Sequence, residues 1–159
     1  MSKTARPPMM LCHYLTPQTI VIAPDEVQKE VFLDSLLDRL CEVWHLKDRA
    51  LIGQAVWSRE KEGRTVLENG LALPHARIQG LEEIKACLGV LPQGYPDALE
   101  GTRVHLVFLF LSPQDQFENH LQMLAKISRL FQDPAFVSKL LSVSDPEEAF
   151  QLIQRQERA

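Results

Sequence analysis

The stretch "RVHLVFLFL", Arg103–Leu111, is apolar at every position except Arg103 and His105. Apolar residues at both parities leave no side for water, so the pattern predicts a central strand buried on both faces. It is far too short to cross a bilayer. Upstream, "IKACLGVL" (Ile84–Leu91) reads as another strand, with "YPDALEG" (Tyr95–Gly101) as the loop between the two. Further back, "TIVIAP" (Thr19–Pro24) is a short β-branched strand closed by proline.

Helices fill the intervals. Asp25 can cap a helix, with Gln28 completing a capping box, and the helix runs to about Trp44. Phe32, Leu33, Leu36, Leu37, Leu40 and Val43 give it one broad apolar face. A second helix is predicted over Lys47–Glu62, with Leu51, Ala55 and Val56 inward and Gly63 ending it. After "SPQDQ" a third begins near Glu118 and carries Leu121, Leu124, Ala125 and Ile127 or Ser128 on adjacent turns. "DPAF" and "SDPEEAF" each set proline at a first helical position behind a capping residue, which starts two final helices. Strands alternating with helices indicate an α/β sandwich around a mixed sheet. Residues 1–14, with two prolines and little periodicity, read as a loosely packed N-terminal arm, and residues 15–159 as the single domain.

Composition sets limits on function. The chain has 159 residues, 45% hydrophobic and 24% charged, enough for one domain with a full core. A net charge of −4 and the lack of a basic run give no footprint for nucleic acid or a membrane surface. The three cysteines, Cys12, Cys41 and Cys87, form no CxxC pair and read as reduced thiols of a cytoplasmic protein. The first residues hold no apolar signal region, so a role in transport would require a separate membrane partner.

The chemistry centres on "NGLALPHARIQG", Asn69–Gly80. Asn69-Gly70 is a turn signal inside otherwise extended "TVLENGLAL". Pro74 cannot donate to a sheet ladder, so the strand ends there or lies at an edge. The imidazole of His75 is thereby delivered just past a strand end, where α/β sheets place their sites, with Leu71, Leu73 and Ile78 as a dry surround. The other histidines are weaker candidates. His13 falls in the arm and reads as solvated, and His45 follows the first helix, where a cation suits the helix dipole. His105 sits inside the central strand as a satisfied sheet histidine. His120 starts the helix after that strand, and since its strand and that of His75 are expected to be neighbours, a histidine pair is plausible. Arg59, at the end of the second helix, reads locally as a solvated charge.

Three chemistries compete for such a pair. A metal site needs three or four ligands at spacings such as HxxxH or CxxC, and none occurs. A serine hydrolase would show GxSxG, which is absent. The third is histidine as nucleophile. Neutral imidazole, with an unperturbed pKa of about 6.5, attacks phosphorus without a base while its other nitrogen keeps a proton against an acceptor. A second histidine and an arginine suit the charge of a phosphoryl group.

At these residues the sequence resembles the type-2 enzyme IIA domains of the bacterial phosphoenolpyruvate-dependent phosphotransferase system, the mannitol/fructose/nitrogen class. "NGLALPHAR" is similar to the family's active-site motif, with Ala76 as the small residue after the histidine. The resemblance runs from about Leu15 to Gln154 and includes "SRE" at Ser58–Glu60, "GLEE", "VHLVFLFLSP" and "HLQMLAKISRLFQDPAF". It implies a mixed sheet of about five strands flanked by helices. It implies His75 as the residue phosphorylated at Nε2, His120 as the second histidine that helps hold the phosphoryl group, and Arg59 as an arginine near the site. It further implies an HPr-type phosphocarrier as donor, an enzyme IIB or a regulatory target as acceptor, and no metal or organic cofactor. The family's Ser/Thr-Thr/Ser-Gly-hydrophobic-Gly run is altered: "RTVLENG" keeps Thr65 and Gly70 but has Val66 and Glu68 where the earlier glycines stand. Stand-alone nitrogen-type regulators fit this chain better than sugar-uptake members. The rival reading is a binding module that keeps the fold, has lost phosphotransfer, and carries His75 as a bystander.

Overall fold

The computed structural model describes residues 9–63, 65–67, 69–97 and 101–159. A short strand β1 (Ile20–Ile22) leads into helices α1 (Lys29–Val43) and α2 (Arg49–Glu62). Two edge segments follow, β2 (Leu71–Ala72) and β3 (His75–Ile78), then the long strands β4 (Lys85–Pro96) and β5 (Arg103–Pro113). Helices α3 (Phe117–Leu130), α4 (Pro134–Leu140) and α5 (Pro146–Arg158) complete the chain. The sheet runs β1-β4-β5-β2, with β3 also paired to β5. β4 and β5 are antiparallel, and the remaining pairings are parallel. This is the expected mixed sheet of five strands flanked by helices.

β5 is buried on both faces from Leu106 to Pro113. Leu106, Phe108 and Phe110 join Ala86, Leu88 and Val90 of β4 in a core covered by α3, α4 and α5. Val107, Leu109 and Leu111 turn the other way, with Cys87 and Leu91, toward α1 and α2. Gly89 lets α1 approach: a Cβ there would lie 2.4 Å from the Phe32 ring. All three cysteines are free and buried, and burial pushes the Cys87 thiol up to about 12.

Local expectations are corrected in places. α1 starts at Lys29, with Gln28 at the cap position and no side-chain cap bond, so Asp25 caps nothing there. The Val27 N–H instead donates to the Gly94 carbonyl, which holds this segment extended along the end of β4. In α2 the buried residues are Ile52, Gly53 and Val56, Ala55 packs against the same core, and Leu51 is instead 60% exposed. α3 buries His120, Met123, Ile127 and Leu130, and Leu121 stays half exposed. Tyr95 and Pro96 of the expected loop extend β4, and residues 98–100 lie outside the described residues. The final two caps form as read: Asp133 accepts from Ala135 and Phe136 N–H, and Asp145 from Glu148 N–H.

The described part of the arm is not loose. Leu11 and Cys12 are buried in a single 3-10 turn, and both of their N–H groups donate to the Glu157 carboxylate of α5, at 2.6 and 2.9 Å. Side chains of the last helix are thus what order this segment, and no local pattern announces it. Residues 1–8 lie outside the described residues. Among the described residues no helix is long and apolar enough to cross a membrane.

Candidate functional site

The site forms where the edge segments meet β5. Leu71 pairs with Leu106 and His75 with Phe110, the same offset on both sides of Pro74. β2 and β3 are therefore one extended edge interrupted at Leu73–Pro74, and His75 opens the second segment rather than following a strand that has ended. The Pro74 carbonyl still accepts from the Phe110 N–H at 3.1 Å, so only the missing proline donor is lost. On the outer side, Leu67 N–H donates to the Leu71 carbonyl and Leu73 N–H to the Thr65 carbonyl. This hairpin turns at Asn69-Gly70, where Gly70 has φ +81° and a Cβ would come within 2.8 Å of the Arg103 carbonyl. Val66 bridges to Ala72 in ordinary extended backbone, so its place in the altered run needs no glycine. Arg64 and Glu68 lie outside the described residues.

His75 is 8% exposed. Its ring stacks on Phe110, with centroids 5.1 Å apart and planes 7° from parallel. Its Nδ1 lies 2.6 Å from the Leu73 carbonyl. A carbonyl only accepts, so Nδ1 carries the proton and Nε2 presents its lone pair. Burial holds the imidazole below its usual range, with the Leu73 hydrogen bond working against that, the Arg59 charge with it, and the Glu60 carboxylate against it.

His120 comes from the first turn of α3, which follows β5 after a tight turn, and its ring is 5.2 Å from that of His75. Its Nδ1 is 2.5 Å from the Ser112 hydroxyl, and Ser112 is fully buried. Burial, then the charges of His75, Arg77 and Arg59, pull His120 down to about 4. Both rings are therefore neutral at pH 7.

Arg59 lies in the last turn of α2, where Nη1 donates to the Gly63 carbonyl at 3.4 Å. It reaches the site by charge, depressing both imidazoles. The structure thus brings the three residues singled out in the sequence together: the histidines in ring contact, the arginine at longer range. His13 is exposed, and His105 lies inside β5 with Nδ1 3.1 Å from the Leu91 carbonyl.

Sequence reading missed several members. Phe110 and Ser112 support the two rings, and Arg77 stands two residues beyond His75 on β3. Glu60 pairs with Lys29 at 3.3 Å and accepts from the Thr65 hydroxyl at 2.9 Å, which ties α2 to the hairpin behind Leu73. The alternation of a strand places Arg77 on the face of His75, a signal available in "HAR"; the others depend on sheet pairing. Among the described residues, no three His, Cys, Asp or Glu converge as metal ligands.

Comparison with known proteins shows the family and the fold. The sequence model of the family described as phosphoenolpyruvate-dependent sugar phosphotransferase system, EIIA 2, matches residues 13–156. The nitrogen regulatory protein of Bradyrhizobium diazoefficiens is 29% identical over 146 residues, covering 91% of this chain and 95% of that protein. The crystal structure of nitrogen regulatory protein IIA-Ntr from Neisseria meningitidis superposes with a TM-score of 0.79 at 26% identity, over 90% of this chain and 98% of that one. The fold is also that of enzyme IIAMtl in its complex with phosphorylated enzyme IIBMtl from Escherichia coli, with a TM-score of 0.71 at 18% identity, over 89% and 97% of the two chains.

Proposed function

The chain belongs to the EIIA 2 family of the phosphoenolpyruvate-dependent sugar phosphotransferase system, and from that membership we propose that it is a phosphocarrier in which His75 accepts a phosphoryl group from the phosphohistidine of an HPr-type protein. One observation carries this reading: a buried imidazole whose Nδ1 lies 2.6 Å from a carbonyl, which leaves Nε2 as the nitrogen with the lone pair, and a second buried imidazole with its ring centroid 5.2 Å away. The Nε2 lone pair attacks phosphorus, and the donor's N–P bond breaks with its electron pair returning to the donor ring. The Nδ1 proton stays in place, and the positive charge of the phosphorylated ring is shared with the Leu73 carbonyl.

His120 supports the same step. In the tautomer that takes the Ser112 hydroxyl as donor to Nδ1, the neutral ring carries its proton on Nε2 and can donate it to a phosphoryl oxygen. Arg59 adds positive potential for a group that brings about −1.5 to −2 charges to an almost closed site. From His75 the phosphoryl group passes to a cysteine of an enzyme IIB, or it stays as a signal that changes which partner docks. The nitrogen regulatory names of the relatives from Bradyrhizobium and Neisseria favour the signal.

The test is phosphotransfer with phosphoenolpyruvate, enzyme I and an HPr-type carrier, followed by intact mass kept away from acid. Wild type gains one phosphoryl group and His75→Ala gains none. No gain in wild type beside a phosphorylated carrier overturns the proposal in favour of the binding module.

A further inference from the structure

His75 and Arg77 alternate along β3, so both side chains stand on the α3 face of the sheet, while Ala76 between them faces the α1–α2 core. Arg77 is exposed but held. Its guanidinium lies over the Phe117 ring, 5.2 Å from the centroid, and Nη2 donates to the Gln114 carbonyl. Both holds belong to the turn and first residue of α3, the helix that carries His120. β5 pairs Arg77 with Ser112, the residue whose hydroxyl holds the His120 ring. The guanidinium is close enough for its charge to depress His120. A planar fork fixed on an aromatic ring has already lost most of its rotamer freedom, and its remaining N–H groups match phosphoryl oxygens.

We propose that Arg77 is a second phosphoryl-binding arginine, closing on phospho-His75 from the α3 side while Arg59 acts from the α2 side, with Phe117 and the Gln114 carbonyl holding it in place. The proposal rests on His75 being the phosphoryl acceptor. It explains an arginine seated on an otherwise exposed phenylalanine at the rim of a neutral, buried histidine pair. Two guanidinium groups on opposite sides distribute over the equatorial oxygens the charge that develops in transfer.

The test loads the full chain with phosphoramidate, whose phosphoryl group moves to His75 Nε2 as ammonia leaves. Phosphorus NMR then follows the second ionisation of the bound group, and exchange with the HPr-type carrier gives the transfer equilibrium. Arg77→Gln raises that ionisation by about half to one pH unit and shifts the equilibrium toward the carrier by about tenfold. Arg77→Lys recovers part of both, and Phe117→Leu moves both in the same direction by less. Arg103→Gln, which removes an equal charge at the other end of β5, moves neither. The proposal falls if Arg77→Gln matches wild type, or if Arg103→Gln shifts both readouts as far. A wild type that takes no phosphoryl group on His75 overturns the phosphocarrier reading, and this one with it.

Discussion

The two ends of β5 hold imidazoles in similar local settings. Near its start, His105 places Nδ1 3.1 Å from the Leu91 carbonyl; beside its end, His75 places Nδ1 2.6 Å from the Leu73 carbonyl. What differs is the company. The His105 ring lies against glycine backbone: a Cβ on Gly94 would sit 3.1 Å from its Nδ1, and one on Gly70 would sit 3.7 Å from its Cδ2. The His75 ring packs against both Phe110 and His120, whose own rings are 5.4 Å apart, with an arginine on α2 and another on β3. A carbonyl that fixes a tautomer is common protein chemistry. The neighbours facing the other nitrogen make a site of it.

Exchanging the histidines breaks the comparison most sharply. His75→Ala abolishes phosphoryl uptake, whereas His105→Ala leaves uptake from the same donor within about threefold of wild type, measured by intact mass over time. Equal losses in the two variants would show that the neighbours are not what distinguishes the ends.

The second prediction concerns pH. The folded-state pKa of both His75 and His120 lies below the unfolded value of about 6.5, so the unfolded chain binds more protons between the two values. Stability is therefore full above about pH 6.5 and falls with pH through the window down to about 4 for His120. The His120 share is on the order of 3 kcal/mol. Urea midpoints read across that window decline in wild type, and His120→Gln reduces the slope; an unchanged slope means the ring is not held neutral.

Glycine substitutions sharpen the contrast between a packed and an open end. Gly94 (φ +67°) would bring a Cβ within 2.2 Å of the Val104 carbonyl, while Gly80 (φ +84°), just past β3, has nothing within 4 Å. Gly94→Ala costs about 2–3 kcal/mol and Gly80→Ala about 1 kcal/mol, compared by chemical denaturation. Equal in size to Gly80→Ala is Thr65→Val, which removes the hydroxyl donated to the buried Glu60 carboxylate. It costs about 1 kcal/mol and slows uptake at His75 by a few-fold, since the Thr65 carbonyl anchors Leu73; a rate equal to wild type would uncouple that hairpin from the site.

Much of this was legible in the chain. β5 showed itself because burial on both faces leaves one continuous apolar run, and Asp133 and Asp145 because a cap is a contact over three residues. His75 was visible because Pro74 marks an edge. The reading failed where a distant partner decides: Val27 drawn to Gly94 delays α1, and Glu157 orders Leu11 and Cys12. In α2 the helix, Ala55 and Val56 were read correctly and Leu51 was not, since the fully buried stripe is Ile52, Gly53 and Val56, with Ala55 packed at its margin. His120 was reached as a partner of His75 through the expected strand neighbourhood, whereas Arg59 needed a family resemblance because it reads locally as a solvated charge. Phe110 and Ser112 come to the histidines only through the register of β5 against β3.

The Glu157 carboxylate also sets an order of events. Its two hydrogen bonds reach back 146 and 145 positions, to backbone N–H groups near the other end of the chain. On a ribosome those groups are made 146 and 145 residues before the carboxylate that receives them. By the time that carboxylate emerges, the sheet, the first four helices and the histidine pair have all left the exit tunnel, so this clasp closes only after every element between its two halves is available.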